Sequence, residues 1–201
     1  CRSVLARSDR MGPRIDRVTL MDRSASALQY SAARLMPWGI GPQDTRLCSG
    51  VQHIPRADWE DALVVASHVV SELKDVELDR WVAALSTARA LIWVEAGTND
   101  ASRRLVQRVR EPLRALGWRA VAPCAHSGAC PLFSEGWERH WCHHFAPVPA
   151  EAHQDAAWRE LSRSLGIDLR VLPYSFLVME SPQAQPAADP LSGVSRVIGQ
   201  A

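Results

Sequence analysis

ALVVASHVVSELKDVELDRWVAALSTARALIWVEAGT, residues 62–98, decides how the chain folds. It opens on Ala62 to Ser67, a run so uniformly apolar that it predicts a strand covered on both faces and therefore central in its sheet. After His68 to Leu73, a polar-capped stretch from about Glu77 to Thr87 predicts a helix. Ala90-Leu91-Ile92-Trp93-Val94-Glu95 then predicts a second strand, stopped by Ala96-Gly97-Thr98. Strand, helix and strand at these lengths are the βα pattern of a mostly parallel sheet.

The same alternation extends outward in both directions. Upstream, Arg17 to Asp22 predicts a strand ending in an acid, Ser24 caps a helix running to about Met36, and Thr45 to Val51 predicts another strand. Downstream, Ala101 to Leu116 is an arginine-studded helix ended by Gly117, and Trp118 to Pro123 is a fifth strand. Asp155 to Leu165 predicts a helix stopped by Gly166, and Tyr174 to Met179 a final strand. A tail rich in Pro, Ala and Gln from Ser181 to Pro190 reads as a loop, with the hint of a strand at 194–198. The fold class expected is α/β, a Rossmann-like doubly wound sheet whose ligand lies outside the carboxyl ends of the strands. Cys1 to Ala6 reads as a helix that follows a glycine-rich turn, so the first strand and that turn are expected upstream. The organisation expected is a core over 1–123, a Cys/His insertion over 124–153, the last helix and strand of the core over 154–180, and a tail over 181–201.

Composition narrows the function classes. With 201 residues, 47% of them hydrophobic, the chain is long enough for one sizeable core. No apolar run approaches the roughly 20 residues that span a bilayer, so a soluble, intracellular protein with no membrane partner is expected. Five cysteines, an odd and clustered set, fit metal binding in a reducing compartment better than a disulfide framework. Lys74 is the only lysine, so nearly all the positive charge is arginine, which suits phosphate and base stacking and follows equally from GC-rich coding.

APCAHSGACPLFSEGWERHWCHHF, residues 122–145, holds the chemistry. Thiolates and imidazoles at loop spacing are the donors of zinc or of an iron–sulfur cluster. The five residues between Cys124 and Cys130 include Ser127 and Gly128, which permit the tight turn that lets a backbone curl around an ion. Cys142 lies across a longer loop. Three cysteines leave one ligand to be found: His126, His143 or a residue outside the chain. The plainer reading is three buried thiols, the state of most free cysteines. Cys48, on a predicted inner strand, reads as a small core residue.

Other candidates lie at the predicted ligand edge. Asp22 is placed to accept the hydroxyls of a ribose, as an acid does in S-adenosylmethionine-dependent methyltransferases, or to cap the helix that follows. Ser67, His68 and Glu95 end adjacent strands there and line a cofactor crevice, with His68 a candidate acid or base; satisfied polar strand ends are the alternative. On the helix after the fourth strand, Arg103, Arg110 and Arg114 fall close together, while Arg104 and Arg108 make a neighbouring row. With Arg119 they make a candidate RNA-binding stripe, set against a solvated helix face. Trp137 and Trp141 are placed either to stack bases or to cover the cysteine loop.

VTLMDRS, VVASHVVSEL, IWVEAGT, VAPCAHSGACPL, HWCHHF and YSFLVMES, in that order, resemble the methyltransferase-like assembly-factor family of the small ribosomal subunit, found in bacteria and mitochondria. The likeness runs from about residue 15 to 200, and VAPCAHSGACPL with WCH is its most selective part. It implies a class I methyltransferase fold, a [4Fe–4S] cluster in preference to zinc, and a role on small-subunit ribosomal RNA or its precursor during assembly. It implies a bacterial cytoplasmic or a mitochondrial matrix location. By motif, Cys124 and Cys130 match the first two cluster cysteines and Cys142 the third; a fourth lies in the family beyond a segment similar to SRVIGQA, at which this chain ends. An active RNA methyltransferase is the alternative, and a zinc-stabilised protein with no RNA role a second. The strand end Ala66-Ser67-His68-Val69 lacks the Asn-Pro-Pro-Tyr motif that holds an exocyclic amine. The chain departs from the family at Cys124-Ala125-His126 and at the expanded Trp141-Cys142-His143-His144-Phe145. It departs again at 146–153 and 168–173, where positive charge is lost.

Overall fold

A computed structural model describes residues 15–124, 126–166 and 171–184. The helix expected at 1–6 and the strand at 194–198 lie outside those residues. In chain order the elements are β1 (Val18–Met21), α1 (Ala25–Ala33), β2 (Thr45–Cys48), β3 (Leu63–Ser67), α2 (Asp75–Leu85), β4 (Ala90–Ala96) and α3 (Asn99–Leu105). A π turn over Val106–Arg110 joins α3 to α4 (Glu111–Ala115), followed by β5 (Arg119–Ala122), β6 (His144–Pro147), α5 (Ala150–Gln154), α6 (Ala156–Leu165) and β7 (Val171–Glu180).

Local chemistry sets several boundaries. The Ser24 hydroxyl accepts from the Ala27 amide at 3.2 Å and opens α1, while Thr98 accepts from Ala101 at 3.3 Å and opens α3. Gly117 and Gly166 stop their helices at φ of +87° and +65°. The long helix expected over 101–116 is not uniform. Pro112 offers no amide and crowds the carbonyl four residues earlier, and the widened turn immediately precedes it.

The main sheet has the order β3-β4-β7-β5, with β6 also pairing to β7; β3 and β4 run parallel and every pairing of β7 is antiparallel. The sheet is therefore mixed rather than mostly parallel. β1 and β2 form a separate parallel ladder. β3 corrects the expectation of a central strand: among the described residues it pairs with β4 alone and stands at an edge. Leu63 and Val65, on one of its faces, are 47% and 38% exposed. A uniformly apolar run shows that both faces suit burial; it does not show that both are covered. β6 was not legible as a strand, and it stitches the end of the cysteine segment into the sheet.

Along β4 the residues Leu91, Trp93 and Glu95 share the buried face. Trp93 meets Trp81 edge to face at 5.6 Å, and Trp81 meets Trp59 at 5.8 Å, which forms the centre of the main core with Leu78, Leu85 and Val109 around it. Asp58 docks the small ladder: its carboxylate takes Arg46 and the Thr19 hydroxyl, each at 2.7 Å. An ion pair of 3.1 Å between Arg23 and Glu72 ties the segment after β1 to the segment after β3.

Candidate functional site

Four residues proposed at the carboxyl edge occupy different states. Asp22 accepts from its neighbour Ser24 at 2.7 Å, the bond of a helix-opening turn. Ser67 and His68 are exposed, and His68 holds a left-handed backbone at φ +54°, its amide bonded to the Val94 carbonyl at 2.9 Å. Glu95 is fully buried. Its Oε1 accepts from the Val69 and Val70 amides and from Trp93 Nε1 at 2.7, 2.6 and 2.6 Å, so the carboxylate fixes the turn after β3 instead of lining an open crevice. Gly97 follows because β7 passes close: a Cβ there would lie 2.6 Å from the Pro173 carbonyl carbon.

The cysteine loop leaves the end of β5 and folds back over the π turn. Arg110 projects from that turn and is only 1% exposed. Its guanidinium donates to the carbonyls of Gly128 at 2.8 Å and His126 at 3.4 Å, and pairs with Glu111. Glu111 in turn accepts from the Cys130 amide at 3.3 Å and from Arg114 Nε at 2.8 Å. Burial opposes the Glu111 charge, but Arg114 and Arg110 together hold its carboxyl below the ordinary range. Burial also opposes the Arg110 charge, and the Cys124 thiol and Glu111 beside it outweigh that cost. Burial pushes the Cys130 thiol up, only partly offset by the Leu132 amide and the charge of Arg110.

Cys142 is fixed separately. Its carbonyl accepts from Ser102 on α3 at 2.8 Å and from Ser175 on β7 at 2.7 Å, both serines being buried. Its thiol lies 3.6 Å from His144 Nε2, and the His144 ring packs on Phe176 at 4.8 Å. Among the described residues no three Cys, His, Asp or Glu side chains converge as ligands of one ion. The described donor set does not assemble a metal site: Cys124 and Cys130 both lie in the field of the Arg110 guanidinium, while Cys142 is held on a separate support.

The arginine stripe divides as its helical spacing predicts, but each half faces inward. Arg103 donates to the carbonyls of Leu132, His140 and Trp137 at 2.9, 3.2 and 3.3 Å, and lies 4.5 Å from the Phe133 ring centroid. Arg110 and Arg114 serve the cysteine loop as above. In the other row Arg104 bonds the Leu73 carbonyl at 2.6 Å and Asp75 at 2.8 Å, and Arg108 meets Asp79 at 3.1 Å. Arg119 pairs with Glu180 at 2.7 Å. Spacing shows which arginines share a face; it does not show the carbonyls and acids that two neighbouring elements set against that face.

The family model "Mitochondrial small ribosomal subunit Rsm22" matches residues 2–200. The chain belongs to the Rsm22 family. No individually curated protein matches it. Among solved structures it is similar to Streptococcus pneumoniae Sp1610, described as a candidate tRNA (m1A22) methyltransferase, with 13% identity and a TM-score of 0.45. That match covers 94% of this chain and 65% of the other, so the chain spans less than two thirds of its length. No helix of the described residues is long and apolar enough to cross a membrane. Within this Rsm22-family chain, the residues missed from sequence are Ser102, Ser175 and Glu111. Glu111 had one usable signal, an Arg-Glu-Pro sequence inside a predicted helix; the serines had none.

Proposed function

We propose that this chain acts with the small ribosomal subunit, as an assembly or translation factor built on a methyltransferase-like α/β sheet that contacts ribosomal RNA. The observation that carries the reading is the Rsm22-family match across residues 2–200. In a eukaryotic cell that role belongs in the mitochondrial matrix, and in a bacterium in the cytoplasm. The arginine stripe is engaged internally, so contact with unpaired bases falls to groups such as Trp137, which is 49% exposed. Gradient sedimentation of cell extract tests this reading. The protein is expected to migrate with small-subunit particles or their precursors and to leave them as salt rises; migration as free protein at low salt would overturn it.

We read Cys124, Cys130 and Cys142 as donors to a [4Fe–4S] cluster, with zinc as the second reading. Soft thiol donors beside a buried positive charge support this, because nearby charge and hydrogen bonds to sulfur favour an anionic cluster–thiolate group. S-adenosylmethionine at the carboxyl edge belongs to the same proposal, with Asp22, Ser67 and His68 as its exposed contacts. Calorimetry with S-adenosylmethionine, using Asp22→Ala as control, is expected to show heat that the variant loses; no heat in the unaltered protein would remove the cofactor, and with it the methyltransferase alternative.

A further inference from the structure

We propose that the segment from Trp137 to Phe145 is a stacking platform for unpaired RNA bases, one base lying on Trp137 and another on Phe145, with Arg139 taking a phosphate. The proposal rests on reading the chain as one that contacts ribosomal RNA, and names the surface and the form of RNA it takes: a single strand with its bases splayed, not a duplex.

Rings crowd this segment, and no aliphatic side chain interrupts them. They form two sets. Trp137 and His140 lie 5.0 Å apart between ring centroids, and Trp141, His143 and Phe145 follow one another at 5.1 and 5.2 Å. In the second set alternate residues share one side of the extended chain, while His144 turns to the other and packs on Phe176 at 4.8 Å. The outer ring of each set is open to solvent: Trp137 is 49% exposed and Phe145 57%. Large rings gain by burial, so a row of them left in water marks a surface that meets a ligand. The backbone beneath is held from inside. Arg103 donates to the carbonyls of Trp137 and His140, and Ser102 and Ser175 donate to that of Cys142. His143 Nδ1 donates to the Trp141 carbonyl at 3.1 Å, which sets the plane of the imidazole. Rings already fixed in place lose little freedom when a ligand arrives.

The make-up of the segment selects the occupant. A protein or lipid face is met by Leu, Ile and Val as readily as by rings, whereas a base offers a flat π face, and surfaces that take single strands combine rings with cations. Arg139 supplies the cation: it is exposed, and among the described residues no ion pair engages it, while Glu138 turns back to the Gly136 amide at 3.2 Å. Glu135 and Glu138 stand beside it in the sequence, so one phosphate is the most the segment neutralises, and stacking carries the affinity.

The test titrates the full chain into a short fluorescein-labelled single-stranded RNA of mixed sequence, and into the same strand annealed to its complement, each followed by anisotropy. Trp137→Leu and Phe145→Leu, which keep an apolar side chain and remove the ring, are each expected to weaken single-strand binding roughly 5- to 150-fold, the loss of one stacked base. Trp137→Phe is expected to keep most of the affinity, and circular dichroism to show the fold unchanged in all three. Should Phe145→Leu disturb β6, Trp137→Leu reads the same stacking from outside the sheet. Arg139→Gln is expected to cost less and to make the log–log salt dependence shallower by about 0.7, the share of one phosphate on a single strand. Equal affinity for the duplex, or single-strand binding untouched by both leucine variants, would overturn the proposal and leave the RNA reading standing. No binding of either RNA by the unaltered protein would remove the RNA reading, and the platform with it. Leucine variants that bind RNA normally yet leave small-subunit particles in a gradient would assign the rings to a protein partner, and overturn the proposal as well.

Discussion

Two loops of this molecule are each fixed by one buried charged side chain, and the charges are opposite. After β3, the Glu95 carboxylate gathers the amides of Val69 and Val70 with the Trp93 indole. After β5, the Arg110 guanidinium gathers the carbonyls of His126 and Gly128. Glu95 takes neutral donors only, two consecutive backbone amides and an indole N–H that turn inward to it. Arg110 has Glu111 as a counter-charge and two thiols in its field, so its loop presents soft donors around a positive centre. The first arrangement fills the donors of a turn; the second pins a loop that carries thiols.

Breaking the second arrangement should cost most. Arg110→Met leaves the carbonyls unpaired and Glu111 short of one cation, and is expected to lower unfolding stability by about 3–5 kcal/mol in urea titrations followed by tryptophan fluorescence. Glu95→Leu strips three buried donors of their acceptor and should cost about 2–4 kcal/mol in the same assay, whereas Glu95→Gln, which keeps one acceptor oxygen, should cost less than half of that. If Gln and Leu proved equally damaging, the acceptor role of Glu95 would be wrong. Two residues along, Gly97→Ala forces β4 and β7 apart and should cost about 1–3 kcal/mol, read by thermal unfolding. Arg108→Gln removes a partly exposed pair to Asp79 and Asp75, and is expected to change stability by under about 1 kcal/mol. A large loss there would show that the two rows of arginines do not differ as described.

Much of the fold was legible because its signals are local. The apolar run of β4, the cap at Ser24 and the glycine stops all act within a few residues. The cysteine segment was legible by composition, and Asp22 emerged with its helix-opening bond, one of the two roles its position allowed. What failed to show depends on residues far apart in the chain. β3 reads as central because both faces are apolar, yet the described residues supply a ladder partner on one side only. β6 is short and carries the aromatic and histidine pattern of a loop; pairing with β7 makes it a strand. The arginines read as a phosphate-facing stripe because the spacing cannot reveal Asp75, Asp79 or the carbonyls of the cysteine segment. Glu95 reads as a crevice residue because an acid ending a strand gives no sign that three donors await it inside.

The claim that the cysteine loop is a thiolate site for an iron–sulfur cluster is tested most directly by chemical analysis of the protein purified without oxygen. Iron and acid-labile sulfide in matching amounts, with a brown colour lost in Cys124→Ser, are the predicted result. A colourless protein with stoichiometric zinc, or with no metal at all, would contradict it.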